Sequence, residues 1–227
     1  MYTNEEIKSQ VIEAVKKVKS SNPMAGSITN SVTINFVANA QLAVGGSAAM
    51  VYLPDEGEFL ANAGGATYIN VGTLMPIYEE TLPRTAKALH EAGKPWVLDP
   101  VAIGIGDLRT SLLKQFKEYK PTIIRGNASE IIALAGLWEL NGGAESSNVR
   151  GVDSTDTVTA AKEAAKALAK YTGGAVAATC REKQTLLPTE QQSSIRTAVL
   201  NLWKWLLAAD VLSEGLLPYM RRLLRLL

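Results

Sequence analysis

The sequence predicts an α/β fold with a mostly parallel central sheet and helices on both faces, and three observations lead there. Short apolar runs alternate with segments of helical periodicity, Gly and Pro bound most of these runs, and three of the runs end on polar clusters: Leu98-Asp99-Pro100, Ile124-Arg125-Gly126-Asn127 and Ala177-Ala178-Thr179. Strands this short, separated by helices, belong to a sheet buried on both sides. In such a sheet ligands bind beyond the carboxyl ends of the strands, where side chains from different strands converge.

Each element has its own justification. Residues 3–19 begin with the capping candidates Thr3 and Asn4, place Glu5 and Glu6 in the first turn, and align Ile7, Val11, Ile12, Val15 and Val18 on one face. That pattern predicts an amphipathic helix. Residues 27–50 have no clear period and finish in Gly45-Gly46-Ser47-Ala48-Ala49-Met50, where the Gly pair marks a bend or a close backbone approach. Residues 66–72 read as a buried strand, 77–92 as a helix stopped at Gly93, and 96–98 as the next strand. A Gly-rich loop over 102–107 leads to a helix over 110–119, a strand over 122–124 and a helix over 129–137. Asp153, Ser154 and Thr155 offer caps for another helix reaching Lys170, and Gly173-Gly174 introduces a strand over 175–178.

Composition narrows the functional classes. With 227 residues and 47% hydrophobic content the chain can bury a large core. Its 23 basic and 22 acidic side chains nearly cancel, which argues against nucleic acid as the main partner. The single cysteine, Cys180, cannot form an internal disulfide, no secretory leader opens the chain, and no apolar run approaches the roughly 18 residues that span a bilayer. A cytoplasmic location is the expectation. Residues 180–227 differ in character: they hold one glycine, Gly215, but 13 leucines, two of the four tryptophans and an excess of three positive charges. Residues 197–209 and 219–227 could form amphipathic helices, and burial against the body, disorder, or adhesion to a membrane surface are the readings open for this tail.

No Gly-x-x-x-x-Gly-Lys-Ser/Thr and no strand-following Gly-x-Gly-x-x-Gly occurs, so a bound nucleotide would need another cradle. Asp99 is a carboxylate at a strand end, and Glu130 opens a helix three positions after Asn127. Two carboxylates can hold Mg2+ through water, and Arg125 can fork onto a phosphate. The plainer alternatives are a turn role for Asp99 before Pro100 and dipole complementation for Glu130. His90, near the end of a helix, reads as structural, and Gly104-Ile105-Gly106-Asp107 as either a phosphate contact or a plain turn.

Taken in order, Ser27-Ile28-Thr29-Asn30, the run from Val32 to Asn39, Gly45-Gly46-Ser47-Ala48-Ala49-Met50, Leu98-Asp99-Pro100-Val101 and Ile124-Arg125-Gly126-Asn127-Ala128-Ser129-Glu130 resemble hydroxyethylthiazole kinase, the thiamine-salvage member of the ribokinase-like kinases. The resemblance covers about residues 5–179 and implies a ribokinase-like three-layer sandwich, with 1–179 an incomplete kinase domain and 180–227 an aberrant tail. It implies transfer of the ATP γ-phosphate to the primary alcohol of 4-methyl-5-(2-hydroxyethyl)thiazole, with Mg2+, in a homotrimer with sites between subunits. By position it implies Met50 in the thiazole pocket, Arg125 and Thr179 on ATP, and Asp99 and Glu130 on the metal and phosphates. Asn127 and Glu130 match the Asn-x-x-Glu pattern of ribokinase-like enzymes. Neighbouring readings are a hydroxymethylpyrimidine kinase type, a nucleotide-repair dehydratase, or a binding protein without catalysis.

The family's Thr-Gly-x-Gly-Cys turn, whose backbone amides form an anion hole at the start of a helix, is absent, so no catalytic residue is identified and little activity is expected of this polypeptide. Cys180 is not that cysteine by position. Reading the tail's codons one base earlier makes the family pattern encodable. Gln184 to Ser194 then permit Asp-Phe-Val-Thr-Asp-Gly-Thr-Thr-Val-Phe, Ile195 to Ala198 permit Ser-Asn-Gly, and Leu206 to Val211 permit Thr-Gly-Gly-Gly-Cys. A frameshifted kinase C-terminus is the expectation that follows.

Overall fold

The structure, a computed structural model, describes residues 4–144 and 155–179. In chain order its elements are α1 (Asn4–Ser21), β1 (Met24–Ile28), α2 (Ile34–Ala43), β2 (Ser47–Met50), α3 (Pro54–Ala63), β3 (Ala66–Asn70), α4 (Tyr78–Glu91), β4 (Trp96–Asp99), α5 (Asp107–Tyr119), β5 (Ile123–Asn127), α6 (Ala128–Leu137), α7 (Thr155–Thr172) and β6 (Ala175–Thr179). The expected tail, residues 180–227 with Cys180, lies outside the described residues, as do the cap candidates Asp153 and Ser154.

All the strands pair in parallel in the order β2-β1-β3-β4-β5-β6. Parallel crossovers are almost always right-handed. The step from β1 to β2 runs one way across the sheet and the steps from β3 onward run the other way, so the same handedness sends α2 to one face and α4 to α7 to the opposite face. Helix α2 packs on β2, whereas α3 packs on α4, α4 on α5, α5 on α6 and α6 on α7 as a continuous layer. The direction reverses between β1 and β3, which is where an open sheet leaves a crevice at its carboxyl edge.

Residue alternation divides the core between the two faces. Ile28, Ile69, Leu98 and Ile124 point into the larger core with Leu82, Leu89, Leu113, Phe116, Leu134 and Trp138. Their strand neighbours Tyr68, Val97, Ile123 and Ala175 form a smaller apolar layer with Val37 of α2. Trp96 meets Phe116 edge to face with ring centroids 5.5 Å apart, and the buried Trp138 indole donates to the Leu113 carbonyl at 2.8 Å. Among the described residues no helix is long and apolar enough to cross a membrane.

The α/β reading with a parallel sheet and helices on both faces holds. The stretch without a clear period resolves into β1, α2 and β2, and α3 is an element that periodicity did not reveal. Both strands are built from small residues, Met-Ala-Gly-Ser-Ile and Ser-Ala-Ala-Met, so they lack the β-branched enrichment that marks a strand. Helix α3 does carry a start signal: Pro54 stands in its first turn, and the Glu56 carboxylate accepts from the Leu53 amide at 3.2 Å.

Gly57 sets the approach of α3 to α4, because a Cβ there would lie 1.9 Å from Thr85 Oγ1. Thr85 cannot swing clear without losing its 2.7 Å bond to the Thr81 carbonyl. Gly57→Ala is expected to cost about 1–3 kcal/mol through overpacking. At roughly 2–4 °C per kcal/mol for a chain of this size, calorimetry should register the loss as a lower Tm. An unchanged Tm would mean that the two helices are not packed at this separation.

Candidate functional site

Sheet register assembles the site. Asn70 lies directly opposite Asp99 across β3 and β4. Val97 lies opposite Ile123 and Leu98 opposite Ile124, so the next residues on each strand, Asp99 and Arg125, become neighbours at the carboxyl end. Because strand side chains alternate, Tyr68, Asn70, Asp99 and Arg125 share one face of the sheet. On β6, Ala177 pairs with Arg125 and Thr179 with Asn127, which brings the Thr179 backbone to the same edge.

Asp99 has no solvent exposure. Its Oδ2 accepts from the Tyr68 hydroxyl at 2.9 Å and from the Arg125 guanidinium at 2.5 Å, while its Oδ1 is buried without a partner. Burial, reinforced by the Asp99 charge, holds the Tyr68 hydroxyl well above its usual pKa, so it stays protonated and donates. Burial works against the Arg125 charge, but the Asp99 carboxylate, through its charge and its hydrogen bond, outweighs it with help from Glu130, and the guanidinium pKa is raised. Arg125 is therefore a fixed cation, with its side chain 23% exposed.

Glu130 reaches the same place from a different element. Strand β5 passes into α6 with no intervening loop, and Asn127 serves both as the last strand residue and as the helix cap. Asn127 Oδ1 accepts from the Glu130 amide at 2.9 Å, and Glu130 Oε2 accepts from the Asn127 amide at 2.8 Å. This is a reciprocal capping box. Gly126 makes room for it, since a Cβ at that position would sit 3.1 Å from Glu130 Oε2. Burial pushes the Glu130 carboxyl above its ordinary range and the Asp99 charge adds to this, while the Asn127 and Ala102 amides and Arg125 pull it back.

The dipole role considered for Glu130 is thus real and leaves its second oxygen free of the cap. Among the described residues no three His, Cys, Asp or Glu side chains gather as a metal cluster. Met50 and His90 lie apart from this group of side chains. Met50 ends edge strand β2, separated from β4 by β1 and β3, which at 4.7–4.9 Å per strand amounts to about 14 Å. It lines a shallow depression with Val51, Asp55, Glu56, Phe59 and Leu60. His90, read as structural, lies in the last turn of α4, which leads into the amino end of β4, with its ring 6.4 Å from that of Tyr119.

Several contributors were missed in the sequence. Tyr68 lies in an apolar run and reads there as core. Asn70 ends β3 and Asn30 stands two residues beyond β1, and they bond across the reversal point, with Asn30 Nδ2 donating to Asn70 Oδ1 at 3.2 Å. Polar residues after strands were the available signal for this pair. Arg109 of α5 donates to the carbonyls of Val71 at 2.9 Å and Ile105 at 2.5 Å, pinning the segment after β3 against the loop after β4.

The arrangement offers a buried carboxylate oxygen lacking a partner, a fixed cation and a second carboxylate at a helix N-terminus, a set suited to a metal-bound phosphate. Residues 15–196 match the model of the hydroxyethylthiazole kinase family. Hydroxyethylthiazole kinase of Bifidobacterium longum subsp. infantis is 53% identical over 169 residues, covering 73% of this chain and 54% of that protein. The Leptospira interrogans enzyme of the same name is 44% identical over 169 residues, covering 74% of this chain and 60% of that protein. The chain thus spans a little over half the length of the curated relatives it matches. The solved structure of the hydroxyethylthiazole kinase protein from Pyrococcus horikoshii OT3 superposes with a TM-score of 0.61 at 30% identity, covering 75% of this chain and 61% of that one.

The direction of the Glu130 shift fixes a pH dependence. A carboxyl with a raised folded pKa binds its proton more tightly when folded. Its contribution favours folding at and below the ordinary carboxylate value near 4.3, and is lost as pH rises through the folded value. Glu130→Gln removes that contribution. Thermal melts from about pH 4 to pH 7 should therefore show the unchanged protein falling in Tm relative to Glu130→Gln as pH rises. Parallel Tm curves would show that Glu130 carries no raised pKa.

Proposed function

This chain belongs to the hydroxyethylthiazole kinase family, and from that premise we propose that its body is built to transfer the γ-phosphate of ATP to the primary alcohol of 4-methyl-5-(2-hydroxyethyl)thiazole, in thiamine salvage. The observation that carries this reading is the Asp99–Arg125 pair at adjacent strand ends, beside the Glu130 carboxylate on the N-terminus of α6. Phosphoryl transfer depends mostly on positioning and on neutralising charge.

Within this reading Arg125 and Thr179 serve ATP, and Asp99 and Glu130 hold Mg2+. The partnerless, buried Asp99 Oδ1 supports a cation at that oxygen, because a buried charge without a full set of partners is costly. The ion would neutralise phosphate charge. Arg125 supplies a fixed positive charge whose remaining donors suit phosphate oxygens, and the α6 N-terminus adds backbone amides. Met50 borders the thiazole pocket. Its distance from Asp99 and the exposed Tyr52, Leu53 and Phe59 nearby support a site completed by a second copy in a homotrimer. A cytoplasmic location accompanies the reading. Sedimentation should give a mass three times the 24.3 kDa of one chain, and a monomer at micromolar concentration would remove the trimer.

Residues 1–179 are in this proposal a kinase body and 180–227 a foreign tail that arose from a frameshift, with the family match continuing over residues 180–196 of that tail. The family's Gly-rich Thr-Gly-x-Gly-Cys turn does not occur in the chain as written. Loss of one anion-hole donor costs roughly 100-fold to 1,000-fold in other enzymes. The 227-residue chain should accordingly phosphorylate the thiazole alcohol at least about 100-fold more slowly than the same chain with its tail returned to the earlier codon register. Coupled detection of ADP measures both rates, and equal rates would sink the frameshift reading. Coding DNA whose third bases forbid Thr-Gly-Gly-Gly-Cys over residues 206–211 would sink it without any assay.

A further inference from the structure

We propose that Tyr68 is a positioning residue for the cation-binding carboxylate: its hydroxyl commits Asp99 Oδ2 to the protein and keeps Oδ1 for the cation that accompanies the nucleotide. The inference rests on the function proposed above and adds a residue that the sequence assigned to the core.

The direction of the hydrogen bonds carries the argument. Backbone amides can only donate, and those of Val32 and Thr33 bond to Asn30 Oδ1 at 3.1 and 3.0 Å. The other terminal atom of Asn30 is therefore its NH2 group, which donates to Asn70 Oδ1 at 3.2 Å. That same oxygen accepts from the Gly72 amide at 2.9 Å. Asn70 is fixed in turn, and its NH2 donates to the Tyr68 oxygen at 2.9 Å. A phenolic hydroxyl has one hydrogen. With its oxygen accepting from Asn70, that hydrogen is directed to Asp99 Oδ2 at 2.9 Å.

The chain of donors runs from fixed backbone amides to the carboxylate and cannot reverse. It crosses the point in the sheet where the connections change direction, from the loop after β1 through the end of β3 to the end of β4. Arg125 also bonds Oδ2, but its guanidinium has further donors and partial exposure with which to meet a phosphate. Tyr68 is 5% exposed and has no donor left over. It holds the carboxylate whether or not a ligand is present.

An oxygen with two donors is a poor second ligand for a cation, so Asp99 acts through Oδ1 alone. Single-oxygen coordination suits Mg2+, which keeps near-octahedral geometry and several waters. Partners that orient a metal-binding side chain typically account for 10-fold to 100-fold in metal affinity.

The test uses the full 227-residue chain, unchanged and as Tyr68→Phe, with circular dichroism and melting to confirm that both fold. Mn2+ serves as the probe, its binding in the presence of ADP followed by electron paramagnetic resonance, and ADP binding in excess chelator is measured alongside. The expected result is roughly 10-fold weaker Mn2+ binding by Tyr68→Phe with metal-free ADP affinity unchanged. Equal Mn2+ affinity in the two folded proteins overturns the proposal and leaves the kinase reading standing. If the unchanged chain binds ADP but takes up no Mn2+ when both are supplied, the metal assignment and the role of Tyr68 are both overturned, whereas failure to bind ADP at all strikes the kinase reading itself. Should Tyr68→Phe not fold, the unchanged protein still decides. A slowly exchanging tyrosine hydroxyl proton in its NMR spectrum that shifts on adding Mg2+ with ADP supports the assignment, and the absence of such a resonance overturns it.

Discussion

A carboxylate without solvent exposure, Asp99, ends the strand at the centre of the site, and its need for partners ties the neighbouring strands together. An ionised group removed from water is destabilising by several kcal/mol unless it is paired and hydrogen-bonded. Its two donors come from the strands on either side, Tyr68 from β3 and Arg125 from β5. Both depend on register. A slip of one residue in β4 would turn Asp99 into the apolar layer under α3 to α7 and bring Leu98 to the polar face. The alternation of Val97 and Leu98 between two apolar layers therefore holds the charge in place as well as the strand.

What register does not supply comes from the ends of helices and loops. The β5–α6 junction has no spare residue, so Arg125 on the strand and Glu130 in the first helical turn stand in a fixed relation. Gly126 permits the close turn and Asn127 locks it through the capping box. On the other side of β4, Ala102 adopts a left-handed conformation with φ of 60°, a strained setting for a residue with a Cβ, and its amide serves Glu130. Arg109 spends its guanidinium on main-chain carbonyls from two segments at the sheet's carboxyl edge. These contacts fix the carboxyl edge of the sheet while leaving Asp99 Oδ1 without a partner.

The legibility of the sequence followed the strength of local signals. Strands β3 to β6 and helices α4 to α7 carried clear periods or end markers and lie within a few residues of their expected places. Residues 27–50 did not, because β1 and β2 are made of small side chains that fit either a strand or a helix. Asp99, Arg125 and Glu130 stood out because charge at the end of an apolar run is unusual. Tyr68 was invisible for the opposite reason, since a tyrosine inside a strand is ordinary until its hydroxyl is seen against a carboxylate.

By itself the sequence determined the α/β class, the near-neutral charge, and the polar strand ends that a metal-bound phosphate would require, since these depend only on residue type and spacing along the chain. The tertiary structure alone decided which strands are neighbours and which way the crossovers run. It also decided that Asn30, Asn70, Tyr68 and Asp99, spread over 70 positions, form one directed line of hydrogen bonds. Hydrogen bonding across strands depends on register, and register is a property of paired segments that no single segment encodes.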